Sequence, residues 1–126
     1  IKLICFCKKS CMRIKIGKKP RIFNVNVGDR KIQLNDAAKI LLKQNEQVTF
    51  KYLNSEYDVT KKDWGYYATP SINGRLKRFG FRTFLIKNKK KKLYIFLVHK
   101  NKMRSFKKYC KNDYQKIVLE LTNGVK

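Results

Sequence analysis

Residues 82–99 read Arg82-Thr83-Phe84-Leu85-Ile86-Lys87-Asn88-Lys89-Lys90-Lys91-Lys92-Leu93-Tyr94-Ile95-Phe96-Leu97-Val98-His99, two apolar runs on either side of a polar connection. Short runs rich in β-branched and aromatic residues predict strands, and the connection makes them a hairpin. The second run is nearly continuous in apolar side chains. That is the pattern of a strand covered on both faces, so it is expected at the centre of a sheet.

Toward the C-terminus, Met103, Phe106, Cys110, Tyr114 or Asp113, Ile117 and Leu121 recur at three- and four-residue intervals. This spacing predicts an amphipathic helix from about 102 to 121 that closes one face of the sheet. Lys102, Arg104, Lys107, Lys108 and Lys111 then point outward. Toward the N-terminus, Gln47–Leu53 alternates, with Val48, Phe50 and Tyr52 on one face. Asn54-Ser55 supplies a turn, and Glu56–Thr60 returns as a partner strand. Further back, Met12–Ile16 is strand-like, and Arg21–Val27 and Arg30–Leu34 flank a Gly28-Asp29 turn as another hairpin. Asn35 or Asp36 then offers an N-cap for a short helix carrying Ala37, Ile40 and Leu41 on one side and ending near Asn45. The expected fold class is α+β: an antiparallel sheet of about five to six strands in hairpins, with a short helix and a C-terminal amphipathic helix packed on it.

A chain of 126 residues fits one domain, and 43% hydrophobic residues, with eight Phe and seven Tyr, are too many for disorder driven by charge. The first Met is Met12, so residues 1–11 read as an upstream extension or a fragment end and 12–126 as a single basic domain. That extension holds Cys5, Cys7 and Cys11, whose spacings do not fit the paired pattern of a zinc site; with distant Cys110 they read as reduced, incidental thiols. The apolar stretch Leu3–Cys7 is too short for a membrane span or a signal peptide. A cytoplasmic setting, no metal and no cofactor are the expectations.

The formal charge is +24, from 32 Lys and Arg against 8 Asp and Glu. Such a field draws in nucleic acid or another polyanion in a salt-dependent way. Lys outnumbers Arg 25 to 7, and the chain is crowded with Ile, Asn, Phe and Tyr, all with AT-rich codons. Selected binding and the drift of an AT-rich genome both account for that excess. The lysines at 89–92 serve either as a solvated hairpin tip or as a prong that grips phosphates, through Lys89, Lys90, Lys91 and Lys92.

Residues 61–80 show neither period and are long for a connection; they predict an ordered surface loop. Trp64, Tyr66 and Tyr67 offer flat faces to bases or sugar rings, Arg75 and Arg78 fork onto phosphate or carboxylate, and Ser71 and Asn73 add hydrogen bonds. The competing reading packs the aromatics as a satellite core and leaves the arginines solvated. Together, Glu56-Tyr57-Asp58-Val59 and Lys62-Asp63-Trp64-Gly65-Tyr66-Tyr67-Ala68-Thr69-Pro70-Ser71-Ile72-Asn73-Gly74-Arg75-Leu76 resemble a segment of small alphaproteobacterial proteins of unassigned activity. The resemblance spans roughly residues 30–121 and implies an association with cell-surface polysaccharide genes.

His99 stands alone at the end of an apolar run and reads as structural or exposed rather than catalytic; Asp58 and Asp63, beside Lys61 and Lys62, read as ion-paired surface groups. No nucleophile has a base at a motif's spacing, so the reading leans away from an enzyme. The expectation is a basic bacterial module that binds RNA or another nucleic acid, with a protein partner also possible. The alternatives are an accessory protein of cell-surface polysaccharide biosynthesis and a ribosome-associated protein.

Overall fold

A computed structural model describes residues 2–5, 13–27 and 30–125. The start at Met12, the thiols of Cys5, Cys7 and Cys11 and the Gly28-Asp29 turn lie outside what is described. The fold is α+β, built from three three-stranded sheets, and its described strand pairings are antiparallel. No helix among the described residues is long and apolar enough to cross a membrane.

Two compact units account for the chain, the first drawn from residues 1–26, 30–49 and 58–69 and the second from 27–29, 50–57 and 70–126. The first contains a sheet in the order β1 (Lys2–Cys5), β2 (Arg13–Val27) and β3 (Arg30–Leu41). Strand β3 replaces the helix expected over residues 37–45. Along it Asp36, Ala38 and Ile40 are partly buried while Ala37, Lys39 and Leu41 are exposed, a period of two. The Ala- and Leu-rich composition favours a helix locally, and pairing overrides that weak preference.

A second sheet runs β4 (Gln47–Tyr52), β5 (Ser55–Lys62) and β6 (Gly65–Ala68). The β4–β5 hairpin forms where the sequence predicts it, but of the expected covered face only Val48 is partly buried, Phe50 and Tyr52 being exposed; its tip, residues 50–57, is counted with the second unit. Asp58 is buried, not the surface group expected; the Thr69 amide donates to its carbonyl at 2.9 Å. Burial here suits its position on the inward side of β5, where Thr60 is also buried and donates to Gln47 Oε1 at 3.1 Å.

The second unit holds the sheet β8-β7-β9, formed by β7 (Phe81–Lys87), β8 (Leu93–His99) and β9 (Lys116–Glu120), with one-turn α1 (Arg75–Arg78) and α2 (Met103–Asn112). Its core gathers Phe84, Ile86, Val98, Phe106 and Cys110, with Phe96 and Met103 against it. Phe106 stacks on Phe84, ring centroids 5.2 Å apart, so α2 packs against the sheet through Phe106 and Cys110.

Two expectations fail here for one reason. The 102–121 helix ends at Asn112, and Lys116–Glu120 becomes a strand paired with β7. That places β7 at the centre and β8 at an edge, although β8 has the more continuous apolar run. The helix stops because Tyr114 takes a left-handed conformation, φ 55°, and the Gln115 amide turns back to the Cys110 carbonyl at 2.8 Å. This is a Schellman-type end with tyrosine where glycine usually stands.

Candidate functional site

In the first unit, the aromatic cluster expected on a loop sits on the β5–β6 hairpin. Lys62 pairs with Gly65, so Asp63 and Trp64 form a two-residue turn. Gly65 has φ 144°, and an added Cβ there would meet nothing within 4 Å; backbone conformation, not crowding, demands the glycine. Tyr66 faces Lys61 and Tyr67 faces Thr60 across the ladder. Adjacent strand residues point to opposite sides, so the three aromatics are not one platform.

Trp64 and Tyr67 form the platform. Their rings stack at 5.9 Å and 22°, and they are 69% and 43% exposed. Tyr66 lies on the other side, its ring 5.4 Å from Lys61 Nζ, in a cation–π contact. Lys62 Nζ donates to Asn45 Oδ1 at 2.7 Å. The Asn45 amide donates to the Lys61 carbonyl at 2.8 Å and the Lys61 amide to the Glu46 carbonyl at 3.0 Å, which ties the turn end of the hairpin to the segment at Asn45-Glu46. The indole–phenol pair is stacked and exposed rather than packed as a satellite core.

The remainder of the expected loop belongs to the second unit. Ser71 and Asn73 are exposed in a tight turn where the Gly74 and Leu76 amides both donate to the Ser71 carbonyl. Arg75 is half-buried and Arg78 exposed on α1, held in place by Leu76, which is fully buried. Residues 61–80 are thus a hairpin, a turn and a helical turn divided between two units, not one continuous loop.

Lys89, Lys90, Lys91 and Lys92 are all exposed at the β7–β8 tip. Asn88 organises this turn: its Oδ1 accepts from the Lys90 amide at 3.0 Å and the Lys92 amide at 2.8 Å. The lysines therefore stand on an ordered backbone, and Lys89 Nζ lies 5.1 Å from the centre of the Tyr114 ring. On α2, opposite buried Phe106 and Cys110, Arg104, Lys107, Lys108 and Lys111 are exposed, as the helical spacing predicts. Lys100 and Lys102 on the preceding 3-10 turn extend this basic face.

One feature escapes sequence reasoning. A cleft of about 290 Å³ in the second unit is lined by residues including Tyr52, Ser55, His99, Lys100 and Lys102. The His99 ring lies 5.1 Å from that of Tyr52 and 4.5 Å from that of Phe81, so its placement is that of a packed aromatic. Period alone pairs nothing on β4 with the end of β8. Among the described residues, no three His, Cys, Asp or Glu side chains gather as a metal site.

No protein-family model matches the chain, and no curated protein or solved structure matches it.

Proposed function

We propose that the protein binds single-stranded RNA, with Lys and Arg contacting phosphates and the Trp64–Tyr67 pair stacking on bases. The observation that carries this reading is the exposed stacked pair on a lysine-flanked hairpin in a chain of charge +24. Charge alone attracts any polyanion, whereas open aromatic faces add about 1–3 kcal/mol per stacked base and favour unpaired strands. The basic face of α2 and the Lys89–Lys92 turn supply phosphate contacts that carry no sequence information.

Trp64 is the only tryptophan, so its fluorescence reports on the hairpin directly. Oligouridylate is expected to quench it, and Tyr67→Ala to weaken binding about tenfold. Unchanged fluorescence together with unchanged affinity in Tyr67→Ala removes the stacking role.

A second reading rests on the same pair, since exposed Trp and Tyr faces also suit a sugar ring. In an accessory protein of surface-polysaccharide assembly, Trp64→Ala abolishes binding of an acidic glycan while bulk RNA affinity stays nearly intact. A ribosome-associated role is separated from both by co-sedimentation with ribosomal particles.

A further inference from the structure

The β8-β7-β9 sheet has two faces, and its register assigns residues to each. Arg82 pairs with Val98, Phe84 with Phe96 and Ile86 with Tyr94; this face carries the core side chains that Phe106 and Cys110 of α2 cover. On the opposite face Thr83 pairs with Leu97, Leu85 with Ile95 and with Leu119, and Lys87 with Leu93 and with Lys116. The end of this face at Phe81 and Thr83 is buried. Beyond it, Leu93, Ile95 and Leu119 are 59%, 54% and 45% exposed. Leu93, Ile95 and Leu119 therefore form an uncovered aliphatic patch, whereas on the other side α2 packs over Phe84, Ile86 and Val98.

Its border is cationic. The row Lys116, Lys87, Leu93 closes the patch, and the Lys89–Lys92 turn follows directly from Lys87. A second copy would bring a second body of charge +24 against this one. Nucleic acid satisfies the lysines but leaves the aliphatic groups in water. A partner that answers both features carries apolar side chains interleaved with carboxylates. We infer that the open face of this sheet, centred on Leu85, Ile95 and Leu119 and bordered by Lys87 and Lys116, docks an acidic, apolar peptide segment of a partner protein.

The test uses the full chain and two short fluorescein-labelled peptides of equal length and charge, one alternating Leu and Glu, the other Ser and Glu, compared by fluorescence anisotropy. The Leu–Glu peptide is expected to bind about tenfold tighter, the gain from burying aliphatic surface beyond what charge provides. Ile95→Ser is expected to erase that ratio, and Leu93→Ser repeats the measurement at a second exposed position. Lys107→Glu with Lys108→Glu, on α2, is expected to weaken both peptides and preserve the ratio. Equal binding of the two peptides overturns the inference, as does a ratio that survives both serine variants. A dimer in sedimentation velocity that Ile95→Ser dissolves also overturns it, because the occupant would then be a second copy.

Discussion

Arg82 grips Glu120 with two hydrogen bonds, Nε to Oε2 at 2.9 Å and Nη2 to Oε1 at 2.6 Å, and so clamps β7 to the end of β9. Thr122 Oγ1 donates to Glu120 Oε2 at 2.6 Å and accepts from the buried Thr83 amide at 3.1 Å. The Arg82 guanidinium, with Thr122, holds the Glu120 carboxyl at about 2, below its ordinary 4.5. A carboxyl depressed on folding contributes its full stability above its unfolded value and loses it as pH falls through the folded one. Both side chains are about a third exposed, so solvent screening limits the contribution to about 1 kcal/mol. Urea unfolding of Glu120→Gln is expected to show that deficit at pH 7, shrinking below pH 4.5 and absent near pH 2. A deficit that persists at pH 2 shows that the pair's charge is not its source.

Phe106 is the residue through which α2 meets the sheet, touching both Phe84 and Phe96. Phe106→Ala leaves a cavity under a helix that has few other buried residues, and a loss of about 3–5 kcal/mol is expected in chemical denaturation. A loss under about 1 kcal/mol means that α2 is held elsewhere.

Lys91 sits in the left-handed region at φ 64°, where a side chain is strained and glycine is not. Lys91→Gly is expected to raise the unfolding midpoint, by about 0.5–1 kcal/mol in stability, because the turn's hydrogen bonds to Asn88 do not involve the lysine side chain. Destabilisation of similar size contradicts the strain at that position.

Cys110 is buried, and desolvation followed by the nearby Asp113 carboxylate pushes its thiol above the ordinary range. The thiolate is the reactive form, so iodoacetamide is expected to modify Cys110 only as the protein unfolds. Peptide mass mapping through a urea series checks this; early labelling at Cys110 contradicts its burial.

The strands at 47–52, 55–62, 81–87 and 93–99 were legible because alternation and apolar runs survive in the pairing they form. The buried side of α2 was legible for the same reason: Phe106 and Cys110 keep helical spacing. The strand at 116–120 was hidden because Ile117 and Leu121 continue that spacing by coincidence, and the stop is a tyrosine in a glycine's conformation. Local composition misled at 37–41, where Ala37 and Ala38 favour a helix and long-range pairing imposes a strand. At the candidate site, residue types were readable but grouping was not: stacking of Trp64 on Tyr67, and the separation of Tyr66 from both, follow from a turn at Asp63-Trp64 that no periodicity announces.

Binding of single-stranded RNA by a charged surface with a stacking pair is tested most directly by titrating oligouridylate against the full chain across salt, read through Trp64 fluorescence. For about five neutralised phosphates, affinity is expected to fall roughly a hundredfold between about 50 and 200 mM salt, with quenching of Trp64 at saturation throughout. Affinity that stays constant over that range, or no binding in dilute buffer, contradicts it.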